Sequence, residues 1–518
     1  MKNDKIRVVV IGAGIGGLAA ALRLAHLGCA VTVLEALATP GGKMRTIPSL
    51  AGPVDAGPTV LTMRPVFEDL FADVGESLTD HLTLHPLTVL ARHYWSDGTT
   101  FDLMADPDET AANISAVFGT KAARQFRAFA ARTRRLFNAF DAPMMQSATP
   151  SQRQLTAQVI QNPRLLWDMA PHKTMAGLLH SSFSEPKLRQ LFGRYATYVG
   201  GSPDDCPALL CLISHSEARG VWAVHGGMHR LAQVIADLAQ TRGAVFHYGQ
   251  LAKRIEQQDG RVSAVMTTLG RHPADVVLFN GDPRALTTGL LGTEAKMAVP
   301  VAGVEPRSHS AYVHAFAAVP SGPALAYHTV FFGDDPVAEF AALGHGERPT
   351  DATLYLCAQD RAVSTPTGPE RFEIILNGPP TNADKDTAQE IAACQTQVFD
   401  RLAQFGLRFS PTPGPEALTT PQGFARLFPA SNGSLYGRSP QGLTAGLKRP
   451  QARTAIPGLY LTGGGAHPGA GVPMAVLSAR HAAEAIMTDL ALRSTSRPTA
   501  MRGGMLTGSA PTGRGPSQ

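Results

Sequence analysis

Cysteine is scarce and scattered. Cys29, Cys206, Cys211, Cys357 and Cys394 are the five in 518 residues, and no two form a CxxC pair. That spacing supplies neither a zinc site nor a redox-active disulfide, and it suits a reducing, cytoplasmic setting. Charge is also sparse. The formal net charge of +5 overstates the basicity of the body, because Arg493, Arg497, Arg502 and Arg514 lie in a terminal stretch with no acid after Asp489. No dense basic stripe interleaved with aromatics is left, which argues against a nucleic-acid partner. No uninterrupted apolar run reaches the roughly 20 residues of a membrane-spanning helix, so any membrane contact is expected to be peripheral. The apolar stretch after Met1-Lys2 carries glycines of a phosphate loop and is not read as a signal peptide. His81 with His85, and His225 with His229, have helix-face spacing but lack an HExxH acid, and no metal is assigned. A chain of this length is too long for one small core, and two to four domains are expected.

Glycine, by contrast, is concentrated where it carries meaning. Val8-Val9-Val10-Ile11-Gly12-Ala13-Gly14-Ile15-Gly16-Gly17 leads from an apolar strand into an Ala- and Leu-rich helix, and Val31-Thr32-Val33-Leu34-Glu35 follows. This order predicts a dinucleotide-binding βαβ unit. Gly12 permits the tight turn, Gly14 lets the backbone approach a pyrophosphate, and Gly17 lets helix and strand pack closely, with Gly16 beside them. The pyrophosphate would rest on the helix N-terminus. Glu35 stands at the spacing of a carboxylate that accepts from ribose hydroxyls and repels a 2′-phosphate, which favours FAD or NAD over NADP. Just beyond it, Gly41-Gly42-Lys43-Met44-Arg45 places two glycines and two cations. This resembles the second fingerprint of the glutathione-reductase-2 type flavoproteins. The resemblance implies FAD, with Gly41 and Gly42 against the cofactor and Lys43 or Arg45 near its phosphates; the plainer alternative makes both cations solvated surface charges.

The fold class expected is α/β: a Rossmann-like, amine-oxidase-like FAD-binding domain with a discontinuous substrate domain and a helical, membrane-associated region. Residues 1–105, 220–285 and 455–492 are assigned to the FAD domain, 106–219 to the helical region, 286–454 to a substrate-binding sheet domain, and 493–518 to a disordered basic tail. Asp106-Pro107-Asp108-Glu109 opens a helix, with Asp as cap, Pro at the first position and Glu three residues after the cap. Phe118, Phe126, Phe129, Leu136, Phe137 and Phe140 continue its periodicity as core or as lining of an apolar tunnel. Ala274 to Asp282 reads as a buried strand and turn. Gly, Pro, Ser, Thr and Arg dominate after Ser494.

Near the C-terminus, Leu459-Tyr460-Leu461-Thr462-Gly463-Gly464-Gly465-Ala466-His467-Pro468 continues through Gly469-Ala470-Gly471-Val472-Pro473-Met474, a strand, a glycine-rich loop and the start of a helix. It closely resembles the C-terminal signature of the phytoene desaturase type carotenoid oxidoreductases, and Asp55-Ala56-Gly57-Pro58-Thr59 resembles a second signature of that family. Together with Gly226-Gly227, the resemblance covers nearly the whole chain except the tail. Cys357-Ala358-Gln359-Asp360-Arg361 and Gly433-Ser434-Leu435-Tyr436-Gly437 look most like the subgroup that desaturates 1-hydroxy- or 1-methoxy-carotenoids at C-3,4. The resemblance places Thr59, Ala252, Gly463, Gly464, Val472, Pro473 and Met474 around the flavin. Two departures are visible: Ala252 stands where related flavoproteins carry Val against the adenine, and Gly464 replaces an acid of broader relatives.

The resemblance implies FAD-dependent dehydrogenation of a carotenoid single bond, with the protein supplying orientation, an apolar tunnel and proton management. The electron acceptor, oxygen or a quinone, is not named by the sequence. His467, in the loop expected over the flavin, either relays a proton or holds the loop by hydrogen bonding. Asp55, Asp282 and Asp360 are read as organisers of backbone. Phytoene desaturation or carotenoid isomerisation on the same scaffold remains open, as do a monotopic amine oxidase and, in a different class, a lipid escort like the GDP-dissociation inhibitors.

Overall fold

Val8 and Val10 point to one side of the first strand, Arg7–Ile11, and Val9 and Ile11 to the other, and both sides are covered. A strand buried on two faces has no use for alternation, which is why it reads as an unbroken apolar run. In the computed structural model, which describes residues 5–381 and 386–496, this strand is central in a parallel five-stranded sheet. The order across it is Leu459–Leu461, Val276–Phe279, Arg7–Ile11, Ala30–Leu34 and Val245–His247, with Val8 beside Val276 on one flank and Val31 on the other. Helices Ile15–His26, His229–Thr241 and Val472–Ser496 cover one face. A three-stranded antiparallel sheet, Ala252–Gln258, Arg261–Thr267 and Arg271–Pro273, covers the other. The helix from Val472 runs past the expected tail boundary at 493; Arg497, Arg502 and Arg514 lie outside the described residues.

A second, largely antiparallel sheet is built around Ser310–Ser321, Glu370–Gly378, Leu354–Ala358 and His328–Phe331. Phe372, Ile374 and Leu376 face the helix Ala388–Gln404, while Ile375 and Asn377, on the opposite side of the same strand, face a large cavity. Strands Val89–Tyr94 and Thr100–Met104 extend this sheet through a parallel pairing of Val89–Tyr94 with His328–Phe331. Two strands of the stretch 1–105, assigned from sequence to the nucleotide unit, thus pair within the second sheet. Alternation makes a strand recognisable but does not say which sheet edge it will join.

The helical region shares a core with one end of the second sheet and reaches the nucleotide-domain core through Phe137. Asp106 caps Pro107–Phe118, accepting from the amides of Asp108 and Glu109. The long helix Thr120–Phe140 buries Phe126, Phe129, Leu136, Phe137 and Phe140. Phe129, Phe183 and Phe192 form one aromatic cluster with centroids 4.9–5.3 Å apart. Among the described residues no helix is long and apolar enough to cross a membrane.

Candidate functional site

The carboxyl ends of the parallel strands open into a cavity of about 1440 Å³. Ordinary single-ligand pockets hold roughly 300–1,000 Å³, so this space exceeds what one ligand needs. One end is walled by Gly12, Gly14, Gly16, Glu35, Gly41, Gly42, Lys43, Thr59, Ala252, Gly463, Gly464, Val472, Pro473 and Met474. The other is walled mainly by apolar side chains of the helical region and the second sheet, among them Phe137, Phe140, Leu209, Ile213 and Phe332.

The nucleotide end is shaped by close contacts. A Cβ on Gly16 would lie 2.7 Å from the backbone of Gly463, and one on Gly17 would lie 2.2 Å from the carbonyl oxygen of Gly12. Gly17 thus packs under the loop and does not line the cavity. The helix Ile15–His26 starts at Gly14 without a side-chain cap and without an acid in its first turn. Its first amides and its dipole are left for an anionic group. The buried Glu35 accepts from the amide of Ala13 through Oε2 at 2.6 Å and from that of Leu37 through Oε1 at 2.8 Å. Burial pushes its carboxyl up, and the amide donors pull it back. Each carboxylate oxygen keeps a further lone pair for a hydroxyl. An uncapped helix start, a glycine-only crossing and a carboxylate one strand away fit the pyrophosphate and ribose of FAD.

Asn280 was not singled out from the sequence. It follows the buried strand Val276–Phe279, donates to the carbonyl of Gly12 at 3.1 Å and lines the cavity. Its position at the carboxyl end of a parallel strand was the available signal. Lys43 donates to the carbonyl of Leu435; burial draws its amine down to about 8, with Asp282 opposing. Arg45 lies away from the cavity, donating to Thr419 Oγ1 at 2.6 Å with its guanidinium over Phe424. Asp55 accepts from the amides of Met228 and His229 and so fastens the start of the helix His229–Thr241; a Cβ on Gly227 would strike its carboxylate at 2.4 Å. Asp282 pairs with Arg307, and Asp360 with Arg371.

His467 turns from the cavity. Its Nε2 shares a 2.9 Å hydrogen bond with the carbonyl of Ser147, its ring stacks 5.9 Å from that of His481, and burial lowers its pKa to about 4. A neutral ring that donates to a carbonyl in the helical region holds the glycine loop to that region, and this geometry supports the loop-holding reading over proton relay. Thr59 shares a 2.6 Å hydrogen bond with Tyr355, whose hydroxyl also meets His328 Nδ1 at 2.5 Å.

A nucleotide cradle joined to a long apolar chamber defines the class: a flavin-binding oxidoreductase for a long, apolar substrate. A family model described as flavin containing amine oxidoreductase matches residues 15–487, and the chain belongs to that family. It is 55% identical over 496 residues to the hydroxyneurosporene desaturase of Cereibacter sphaeroides, covering 95% of this chain and 100% of that one. It is 49% identical to the protein of the same name from Rhodobacter capsulatus, covering 93% and 98%. Among solved structures, cyclohexylamine oxidase from Brevibacterium oxydans shares the fold with a TM-score of 0.57 at 19% identity, over 94% of this chain and 100% of that one.

Proposed function

We propose that the chain is an FAD-dependent carotenoid desaturase that introduces the C-3,4 double bond into 1-hydroxy- or 1-methoxy-carotenoids. The observation that carries this is the continuity of the cavity, from the glycine cradle and Glu35 at one end to Phe137, Phe140, Leu209 and Ile213 at the other. The desaturase name of relatives that match over nearly the full chain supports it. FAD, when bound, supplies the two-electron acceptor. The protein's part is placement. Gly14, Gly16 and the open helix start hold the pyrophosphate, Glu35 the ribose, and the loop Gly463–Met474 with Thr59 the ring system. The apolar walls orient a polyene that offers few hydrogen-bonding handles and keep water from the reacting carbons.

The substrate enters from a membrane surface in this reading. The helices Gln152–Gln161 and Pro163–Met169 carry the exposed Ile160, Leu166 and Trp167. Leu155, Val159, Ile160 and Leu166 also line the cavity, so the apolar outside and the apolar inside meet there. A peripheral attachment at this mouth lets a lipid-dissolved polyene slide in without crossing water.

The test is an anaerobic visible spectrum of the FAD-loaded protein with liposomal 1-hydroxyneurosporene, followed by chromatography. Flavin bleaching with a red-shifted product carrying one more double bond supports the reading. Bound flavin that stays oxidised overturns it in favour of phytoene desaturation or isomerisation, and failure to hold flavin at all favours the lipid escort.

A further inference from the structure

We propose that the hydroxyls of Thr59 and Tyr355 form the subsite that receives the oxygen at the end of the carotenoid chain, and so fix which bond is presented to the flavin; this rests on the desaturase reading above. Both residues line the cavity. Tyr355 lies on Leu354–Ala358, an interior strand of the second sheet, paired with Glu370–Gly378 on one side and His328–Phe331 on the other. The register sets Val313, Ile375, Tyr355 and Val330 side by side across four strands, and all four face the cavity. Leu354 and Leu356 point the other way and are buried in the core beneath the helix Ala388–Gln404. Tyr355 is only partly buried, and the accessible part of so central a side chain opens to the cavity. Its hydroxyl is the polar group of an otherwise apolar row.

An unbroken run of direct contacts joins this pair to the nucleotide cradle. Gly41 bridges to Gly14, and a Cβ on Gly42 would lie 3.0 Å from the Cα of Gly14. A Cβ on Gly57 would strike the carbonyl oxygen of Lys43, so Gly57-Pro58-Thr59 is laid against the loop that touches the phosphate turn. The same segment is tied to the second sheet just beyond the strand of Tyr355, where the Gln359 side chain donates to the carbonyl of Asp55 at 2.9 Å and accepts from its amide at 3.0 Å. Thr59 Oγ1 and Tyr355 Oη close the seam at 2.6 Å. The pair thus marks the line where the cradle ends and the apolar chamber begins. The substrate oxygen is borne by C-1, two carbons from the C-3,4 bond, so its anchor has to stand on that line and not deep in the chamber.

The bonding capacity of the two hydroxyls is not used up. Among the described residues Thr59 Oγ1 meets Tyr355, and the phenol oxygen meets Thr59 and His328 Nδ1. When Nδ1 accepts, the phenol proton goes to the histidine, the threonine proton goes to the phenol, and Thr59 Oγ1 keeps its lone pairs for a donor. When Nδ1 carries the proton, the order reverses and the threonine O–H is left to donate. A carotenoid hydroxyl, donor and acceptor in one, is satisfied by either order. An ether oxygen is met by the second, and a hydrocarbon end by neither. The line carries no proton away, because His328 Nε2 is buried with no partner among the described residues. Holding an oxygen is therefore what this geometry can do.

The test titrates the holoenzyme, its flavin chemically reduced so that no dehydrogenation occurs, with vesicles carrying 1-hydroxyneurosporene or neurosporene, and follows the polyene absorption band. Wild type should hold the hydroxylated chain about fivefold more tightly. The double variant Thr59→Val, Tyr355→Phe, which keeps both shapes, should bring that ratio to about one. Tyr355→Phe alone should lower it at least about twofold, and Thr59→Ser, which keeps the hydroxyl, should retain it. Comparing ratios between proteins cancels any difference in how the two chains partition into the vesicle. A double variant with the wild-type ratio overturns the subsite. Should that variant not fold or not hold flavin, Tyr355→Phe decides, and an unchanged ratio overturns the subsite. A wild type that binds both chains alike but, when oxidised, still desaturates 1-hydroxyneurosporene sinks the subsite and leaves the desaturase reading; a wild type that binds neither chain sinks both.

Discussion

Glu35 shows how one residue serves two ends. Its oxygens hold the amides of Ala13 and Leu37, which fixes the turn, and the same carboxylate faces the cavity. Glu35→Gln keeps the shape but sets an NH2 against one of those amides and removes the charge. Charge-assisted bonds are worth about 1.5–3 kcal/mol, so FAD should bind roughly tenfold to a hundredfold more weakly in a flavin titration; unchanged affinity would contradict the ribose role. His467 is the opposite case. Because its Nε2 is spent on Ser147 and its ring is neutral above about pH 4, His467→Ala should leave the pH profile of turnover unmoved. It should lower the melting temperature instead, as expected for a lost buried bond worth about 1 kcal/mol. Loss of a limb from the pH–rate profile would restore His467 as a proton carrier. Sequence carried the first of these residues and not the second. Glu35 sits in a motif whose spacing fixes its surroundings, whereas the direction a loop histidine faces depends on Ser147, more than 300 residues away.

Elements differ in how much a single change can cost them. Gly16→Ala drives a Cβ to 2.7 Å from the backbone of Gly463, where two chain segments cross and neither has a flexible end to give way. It should abolish flavin binding, or soluble protein altogether, and a flavin-loaded Gly16→Ala enzyme would refute the crossing. Asp106→Ala removes only a cap, from the start of Pro107–Phe118. That should cost about 1 kcal/mol, seen as faster amide exchange in that helix with kcat and KM unchanged. Both elements were legible in the sequence, because a glycine turn and an N-cap act through neighbours in the chain. The strands Val89–Tyr94 and Thr100–Met104 were not read from the sequence. Their edge partner, His328–Phe331, is supplied by a distant segment, and nothing local to residues 89–104 names it. The polar cluster of Arg194, Tyr198 and Glu217 was invisible for the same reason, being assembled from two short segments across the cavity wall.

At the scale of the whole molecule, sealing a long apolar chamber between two sheets also buries histidines in strands and loops around it. His309 and His314 are lowered to about 4, His328 to about 3 and His467 to about 4, each by burial first. An exposed histidine in the unfolded chain titrates near 6.5. Between those values the unfolded state binds the protons, so stability is fully present above about pH 6.5 and falls as pH drops towards 4. Buried acids raised above their ordinary range, such as Glu339 at about 6, work in the opposite sense, with stability lost as pH rises through that value. A single histidine must therefore be isolated by comparison. His314 is suited to this, since both its ring nitrogens are unpaired and its ring meets Phe399 edge-on at 5.4 Å. His314→Leu removes two orphaned nitrogens and should be neutral or stabilising at pH 7. At pH 5, protonation of the unfolded histidine costs wild type about 2 kcal/mol that the variant does not lose. Melting temperatures of the two proteins should therefore diverge steadily from pH 7 to pH 5, with the leucine variant the higher; parallel curves would mean that His314 is already charged in the folded protein.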